Sequence, residues 1–106
     1  MNKDKSELFL HYWKITGSQI RPVPEYPFTK TIGRRHRFDW AFVDAKVAVE
    51  VEGNAWGVAG GGRHMQDSDL EKYNLAVSLG WRVFRFSPAM LKNNPEKCVM
   101  MVYDAL

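Results

Sequence analysis

The chain has 106 residues, of which 45% are hydrophobic and 25% charged, and its formal net charge is +3. This length and composition are typical of one folded globular domain, which excludes a disordered protein. The single cysteine, Cys98, excludes an intramolecular disulfide and a thiolate zinc cluster. Because residues 1–8 are charged and no apolar run reaches the length of a membrane span, we expect a cytoplasmic protein without membrane contact.

The first part of the chain predicts a helix followed by an edge strand. Residues 4–16 predict a helix with Ser6 as its N-cap and Gly17 as the signal that ends it. Its apolar face is formed by residues at helical spacing: Leu8, Phe9, Tyr12 and Trp13. Prolines at positions 22 and 24 forbid a helix in the next segment. Residues 25–30 predict a short strand that lies at a sheet edge or carries a bulge, because Pro27 has no N–H to donate.

A β-hairpin is predicted in the middle of the chain. Residues 36–43 form its first strand, in which Phe38, Trp40 and Phe42 alternate with Asp39, Ala41 and Val43. Residues 46–52 form its second strand, in which Val47, Val49 and Val51 alternate with Ala48, Glu50 and Glu52. The tight connection between the strands is Asp44 and Ala45. Each strand therefore has one face made of large apolar side chains.

The second half of the chain predicts a helix, a strand and two further helical segments. Residues 53–62 are glycine-rich and predict a long loop of the kind that often carries function. Residues 67–79 predict a helix with Asp67 or Ser68 as cap, Gly80 as its end, and a stripe of Leu70, Tyr73 and Val77. Residues 81–86 predict a fourth strand, Pro88 begins a helical turn, and residues 95–105 form the last helix. The order α-β-β-β-α-β-α predicts an α/β fold, with helices on the faces of a mixed sheet whose fourth strand is parallel to an earlier one.

Three carboxylates are expected to converge at one end of the hairpin. Glu50 and Glu52 lie on one face of their strand, because side chains alternate with period two, and strand pairing brings Asp39 near them. Clustered carboxylates repel one another unless a cation neutralises them, and hard oxygen ligands suit Mg²⁺ or Mn²⁺. The alternative is that the Glu-Val-Glu pattern is only the solvent face of an edge hairpin.

Two runs in the hairpin, residues 37–42 (RFDWAF) and residues 47–53 (VAVEVEG), resemble the core motif of the PD-(D/E)XK nucleases. The similarity is greatest to small bacterial and phage nucleases related to very-short-patch repair endonucleases. Residues 79–86 (LGWRVFRF) are similar to a further part of those proteins, and the resemblance covers roughly residues 6–92. It implies one restriction-endonuclease-like domain with an αβββαβ core, spanning residues 1–106.

The resemblance also implies roles for individual residues. Asp39 matches the metal-binding aspartate and Glu50 the second acid, whereas Glu52 stands where the family usually has a lysine. Glu52 is then a further metal ligand, or a cation arrives from elsewhere, for which Lys72 is the first candidate. Glu7 matches an acid near the metal on the first helix; the alternative is a charge that only complements the helix N-terminus.

Contacts to nucleic acid are expected from basic and aromatic residues. Phosphate contacts are predicted for Arg34, Arg35, Arg37 and Arg63, although a basic cluster is also compatible with a solvated face. His64 is a candidate general base or phosphate contact, with a plain surface residue as the alternative. Trp56 is the aromatic candidate for touching DNA, since the other aromatic residues are expected in the core.

The leading hypothesis is a Mg²⁺- or Mn²⁺-dependent endodeoxyribonuclease of a bacterial or phage-infected cell. Its substrate would be duplex or branched DNA in recombination or repair, and a homodimer would enlarge the small surface available for recognition. A second hypothesis is a nuclease-fold module that binds nucleic acid without cutting it, since the usual lysine is missing. A third is a structural protein with a carboxylate-rich edge, which would bind neither metal nor DNA.

Overall fold

The computed structural model describes residues 3–52 and 66–106. Its helices and strands in chain order are α1 (Lys3–Ile15), β1 (Val23–Tyr26), β2 (Phe38–Phe42), β3 (Val47–Val51), α2 (Asp67–Ser78), β4 (Arg82–Phe86), α3 (Pro88–Asn93) and α4 (Pro95–Ala105). A short 3-10 helix, Lys30–Ile32, lies between β1 and β2. None of the helices in the described ranges is long and apolar enough to cross a membrane.

The four strands form one mixed sheet in the order β1-β2-β3-β4. Strand β2 is antiparallel to both β1 and β3. Strands β3 and β4 run parallel, with Val49 opposite Phe84. A tight turn closes the β2–β3 hairpin, in which the N–H of Lys46 donates to the carbonyl oxygen of Val43 at 3.1 Å. The predicted hairpin, its turn and the parallel fourth strand are therefore confirmed.

Helices cover both faces of the sheet and bury two separate apolar clusters. One face packs against α1, α3 and α4, where the buried residues include Phe9, Trp13, Val47, Val49, Val51, Leu91, Val99 and Val102. The opposite face packs against α2, where the buried residues are Phe28, Phe38, Ala41, Ala48, Ala76 and Trp81. Strand β3 is buried on both faces, which makes it the centre of a single compact α/β domain. A charged residue on β3 must therefore find its partners inside the protein.

The start of α1 differs from the sequence prediction. The helix already begins at Lys3, and Ser6 lies inside it with only 4% of its surface exposed, so Ser6 is not the N-cap. Its carbonyl oxygen accepts a hydrogen bond from the indole N–H of Trp40 at 2.7 Å, which ties α1 to β2. The end of the helix is as predicted: Gly17 has a φ of 78° and donates its N–H to the carbonyl oxygen of Lys14.

The packing face of α2 was also predicted wrongly. Leu70 and Val77 are 48% and 74% exposed, whereas Ala76 is buried against the sheet and Tyr73 contacts the acids of β3. The apolar contact of α2 is made instead by Ala76 with the partly buried Leu75 and Leu79, which leaves Leu70 and Val77 toward solvent. The N-cap is Gln66 rather than Asp67 or Ser68.

Strand β1 begins two residues and ends four residues earlier than predicted, and the alternation in β2 is interrupted. Strand β1 lies at the sheet edge, as the prolines indicated. In β2, Trp40 and Phe42 face one cluster, but Phe38 lies in the other, where its ring stacks on Phe28 with centroids 3.8 Å apart. The prediction that these three aromatic residues share a face is wrong, and the change of side occurs at Asp39.

Candidate active site

The regular pairing of β2 with β3 ends just before Asp39. Paired residues run from Phe42–Val47 to Trp40–Val49, and beyond this point side chains complete the hydrogen bonds. The N–H of Asp39 donates to Oε2 of Glu50 at 2.9 Å, and the N–H of Val51 donates to Oδ2 of Asp39 at 2.8 Å. These two carboxylates are therefore held next to each other, as the hairpin predicted.

Glu50 is buried, and its charge is compensated by α2. The residue is 7% exposed. Its Oε1 atom accepts hydrogen bonds from Nζ of Lys72 at 2.5 Å and from the hydroxyl of Tyr73 at 3.1 Å. A buried carboxylate is tolerated only when such charged and polar donors surround it. The structure thus brings Lys72, the predicted substitute for the missing lysine, directly to Glu50.

Asp39 experiences opposing influences on its ionisation. Burial and the neighbouring charge of Glu50 raise its pKa to about 6, although the N–H of Val51 and the ammonium of Lys72 act in the opposite direction. Glu25, on the edge strand, raises it further. Within the described residues, Oδ1 of Asp39 accepts no hydrogen bond. A cation at this oxygen would remove the conflict between the two acids.

Glu52 lies on the same side of β3 as Glu50, as predicted, but its carboxylate is bound by other groups. It forms an ion pair with Arg85 of β4, whose Nη2 atom lies 3.3 Å from Oε1. The hydroxyl of Tyr73 lies 3.3 Å from Oε2. The guanidinium of Arg85 also stacks over the Tyr73 ring, 4.2 Å from its centroid. Burial and the charges of both glutamates raise the pKa of Tyr73, so its hydroxyl stays protonated as a donor.

The donor set at Asp39 and Glu50 suits a hard divalent cation. Among the residues that the structure describes, no group of three or more His, Cys, Asp or Glu side chains is placed to hold a metal ion. Two carboxylates nevertheless suffice for Mg²⁺, which keeps several waters and usually takes only one or two carboxylates from the protein. Asp39 and Glu50 could hold such an ion, whereas Glu52 would first have to leave Arg85.

Glu7, the acid expected near the metal, lies on α1. It is exposed on α1 and lines a groove of about 420 Å³ together with Arg21, Glu25 and Trp40. No hydrogen bond or ion pair in the described ranges joins it to Asp39, Glu50 or Lys72. The acid that acts on Asp39 from the edge strand is Glu25, which has an unusual φ of 48°.

The basic cluster before β2 is partly engaged with α2. Arg34 donates to Glu71 from Nε at 2.8 Å and from Nη2 to both carboxylate oxygens, with 2.6 Å between Nη2 and Oε1. Nε2 of His36 lies 2.9 Å from the same carboxylate. Hydrogen bonds from His36 and Arg34 lower the pKa of Glu71. Arg35 and Arg37 are exposed, and Arg37 donates to the carbonyl oxygen of Glu25 at 3.4 Å. A phosphate at Arg34 would therefore compete with Glu71.

The other candidates from the sequence, Trp56, Arg63 and His64, lie outside the described residues. Sequence reasoning missed four residues that shape the site: Glu25, Glu71, Tyr73 and Arg85. A signal was present for Arg85, because aligning β4 in parallel with β3 places it opposite Glu50. Tyr73 was interpreted as a core residue, and nothing in its spacing distinguishes a core tyrosine from one whose hydroxyl reaches a carboxylate.

Comparison with known proteins finds no match to this chain among protein-family models, curated proteins or solved structures. The resemblance to PD-(D/E)XK nucleases therefore rests on the sequence runs described above. Interpretation of the site rests on the geometry of Asp39, Glu50 and Lys72.

Proposed function

We propose that the protein is a divalent-metal-dependent endodeoxyribonuclease, with Asp39 and Glu50 as its metal-binding residues. The observation that carries the proposal is that Asp39, Glu50 and Lys72 meet at one point, where the regular pairing of β2 with β3 ends. Two acids and a lysine are also the side chains of the PD-(D/E)XK motif, with the lysine supplied here by α2. On this basis we further propose that the α/β domain is a variant of the restriction-endonuclease-like fold.

The chemistry proposed is the hydrolysis of a phosphodiester bond. When bound, Mg²⁺ or Mn²⁺ would lower the pKa of the attacking water and offset negative charge on the phosphate. Asp39 and Glu50 would hold that ion through hard carboxylate oxygens. The ammonium of Lys72 is anchored by Glu50 and lies beside the two acids, where it would add positive charge for the phosphate.

The basic residues that precede β2 would bind the phosphates of DNA. Arg35 and Arg37 are exposed, and Arg34 lies next to Glu71, the residue before Lys72 on α2. Such contacts to phosphate fix the position of DNA without reading its sequence. We propose duplex or branched DNA in phage or bacterial recombination or repair as the substrate, with a homodimer as one way of enlarging the contact surface. Trp56, Arg63 and His64 remain predicted DNA or catalytic contacts.

One observation favours a second candidate, a module that binds nucleic acid without cutting it. Both oxygens of Glu50 already accept hydrogen bonds, and Glu52 is paired with Arg85. If these bonds persist when DNA binds, Asp39 is the only one of the three acids Asp39, Glu50 and Glu52 with an oxygen that accepts no hydrogen bond from the described residues. This candidate predicts DNA binding that does not require a divalent ion.

The deciding experiment is cleavage of supercoiled plasmid and of a branched-junction substrate with Mg²⁺ or Mn²⁺. Wild type is compared with Asp39→Asn and Glu50→Gln. Asp44→Asn serves as the matched control, because Asp44 is an exposed acid in the turn of the same hairpin. We expect metal-dependent cutting by wild type and the control, and its loss in the two site variants. DNA binding without cutting on either substrate would replace the nuclease by the binding module.

A further inference from the structure

We propose that Glu52, Tyr73 and Arg85 form one positioning unit that orients Glu50, and that Glu52 is not itself a metal ligand. The inference rests on the proposed metal site at Asp39 and Glu50 and assigns roles to three residues around it. It replaces the role in metal binding that the family resemblance implied for Glu52.

Arg85 keeps the Glu52 carboxylate away from the other two acids. Its guanidinium reaches both oxygens of Glu52, through Nε to Oε2 and Nη2 to Oε1. This bidentate ion pair suits the planar shapes of the guanidinium and the carboxylate, and its hydrogen bonds are stronger than those between neutral partners. Glu52 is also fixed through its backbone, since its N–H donates to the carbonyl oxygen of Phe86 at 2.8 Å. To bind a metal, Glu52 would have to give up an ion pair and leave a partly buried arginine without it.

Tyr73 links this ion pair to Glu50. Its hydroxyl lies 3.1 Å from Oε1 of Glu50 and 3.3 Å from Oε2 of Glu52. A phenol has a single proton, so it can donate fully to only one of these carboxylates. Because Arg85 already satisfies Glu52, the proton of Tyr73 is left for Glu50. Arg85 also stacks on the Tyr73 ring and so restricts its orientation.

The consequence is that hydrogen bonds from two elements, α2 and β2, hold the Glu50 carboxylate. Lys72 and Tyr73 both donate to Oε1, while the N–H of Asp39 donates to Oε2. With its rotation restricted in this way, the Glu50 carboxylate stays beside Asp39. Groups that orient a metal ligand without touching the metal commonly change its affinity by 10- to 100-fold when they are removed.

The test measures Mn²⁺ affinity by isothermal titration calorimetry on the full chain, without DNA. The variants are Tyr73→Phe, Glu52→Gln and their double variant, together with Asp39→Asn, which removes a proposed metal ligand. Tyr103→Phe is the matched control, because Tyr103 is an exposed tyrosine on α4, in the opposite helix layer. Tyr73→Phe removes the hydrogen bond to Glu50, and Glu52→Gln weakens the ion pair that holds Arg85 over the Tyr73 ring. We therefore expect about ten-fold weaker binding in each of these single variants. The double variant should also lose only about ten-fold, because the two residues act as one unit.

Three results would overturn the proposal. Losses that multiply to about a hundred-fold in the double variant would mean that Glu52 acts independently, as a ligand would. Unchanged binding by Tyr73→Phe, with binding lost in Asp39→Asn, would remove the positioning role and leave the metal site standing. Binding by Asp39→Asn equal to that of wild type, or none by wild type, would instead remove the metal site itself.

A second variant keeps the inference testable if Tyr73→Phe does not fold. Arg85→Gln changes a side chain that is 37% exposed. It leaves Glu52 to compete for the Tyr73 hydroxyl, so Mn²⁺ affinity should again fall about ten-fold. Unchanged affinity in Arg85→Gln would contradict the shared role.

Discussion

The backbone N–H of Asp39 donates a hydrogen bond to the side chain of Glu50 at 2.9 Å. The two residues lie one position beyond Trp40 and Val49, the last regular pair of their strands. The side chain of Asp39 in turn accepts a hydrogen bond from the backbone N–H of Val51. The two acids proposed to hold a metal are thus part of the hydrogen bonding of the sheet. Their substitution is expected to affect stability as well as chemistry, and the two effects can be measured separately.

The first prediction concerns pH and Asp39. Its pKa is about 6 in the folded protein against 3.8 as the ordinary value, so between these pH values the folded chain binds more protons than the unfolded chain. Stability is therefore lost as pH rises through this window. Without metal at pH 7.5, we expect Asp39→Asn to be more stable than wild type by about 1 kcal/mol, allowing for solvent screening. Urea unfolding in EDTA measures this difference.

The pH dependence itself is the control for that experiment. The advantage of Asp39→Asn should shrink as pH is lowered toward about 4, where Asp39 of the folded wild type is protonated. Asp44→Asn, a substitution at an exposed position of the hairpin turn, is measured beside it. A difference that stays constant between these pH values would contradict the assigned pKa of Asp39.

The second prediction concerns the ion pair of Lys72 and Glu50. Lys72→Met leaves the Glu50 charge buried without its cation, which should lower the free energy of unfolding by about 3 kcal/mol. Adding Glu50→Gln should restore part of that loss, because the uncompensated charge is removed. Lys92→Met, at an exposed position of α3, is the control. Losses that simply add in the double variant would show that the two residues are not coupled.

The third prediction concerns DNA affinity and Glu71. Because Glu71 holds Arg34 in a hydrogen-bonded ion pair, Glu71→Gln should release the guanidinium and strengthen DNA binding. Arg34→Gln should weaken it and reduce the slope of affinity against salt by about one. Fluorescence anisotropy with a labelled duplex measures both.

The matched control for that experiment is Glu96→Gln. It changes the net charge equally but lies on α4, in the opposite helix layer. Equal gains from Glu71→Gln and Glu96→Gln would attribute the effect to net charge alone and contradict a role for the Arg34 contact.

The fourth prediction concerns the backbone at Glu25. Its φ of 48° lies in the left-handed region, which is unfavourable by about 1–2 kcal/mol for a residue with a side chain. We expect Glu25→Gly to raise the free energy of unfolding by about 1 kcal/mol, since glycine adopts this conformation readily. Glu25→Gln keeps the strain and removes the charge. If Glu25→Gln gains as much as Glu25→Gly, the gain comes from the charge and not from the backbone.

The sequence predicted those features that depend on local pattern. The β2–β3 hairpin, the meeting of Asp39 with Glu50, and the last helix at residues 95–105 follow from alternation, turn residues and proline. The candidate cation was also found, since α2 follows the hairpin and Lys72 is its lysine.

The parts that failed depend on contacts between distant segments. The alternation of β2 breaks at Asp39 because its side chain takes over a backbone hydrogen bond, and Phe38 then joins the opposite cluster. The buried face of α2 combines Ala76, which packs in the apolar cluster, with Lys72 and Tyr73, which meet Glu50 of β3. The direction of the Glu52 side chain depends on Arg85, which is distant in the chain and becomes its neighbour only through parallel pairing.

The position of β3 between two very different partners has a consequence for how the chain folds. Its pairing with β2 closes only a short turn, whereas its pairing with β4 must close a loop that includes residues 53–65 and all of α2. The entropy of loop closure favours the hairpin as the earlier structure. Asp39 and Glu50 would then meet before Lys72 arrives, and their mutual repulsion would oppose that step at neutral pH. We therefore expect Mn²⁺ or mild acid to speed refolding of the wild type but not of Asp39→Asn, which stopped-flow refolding measures.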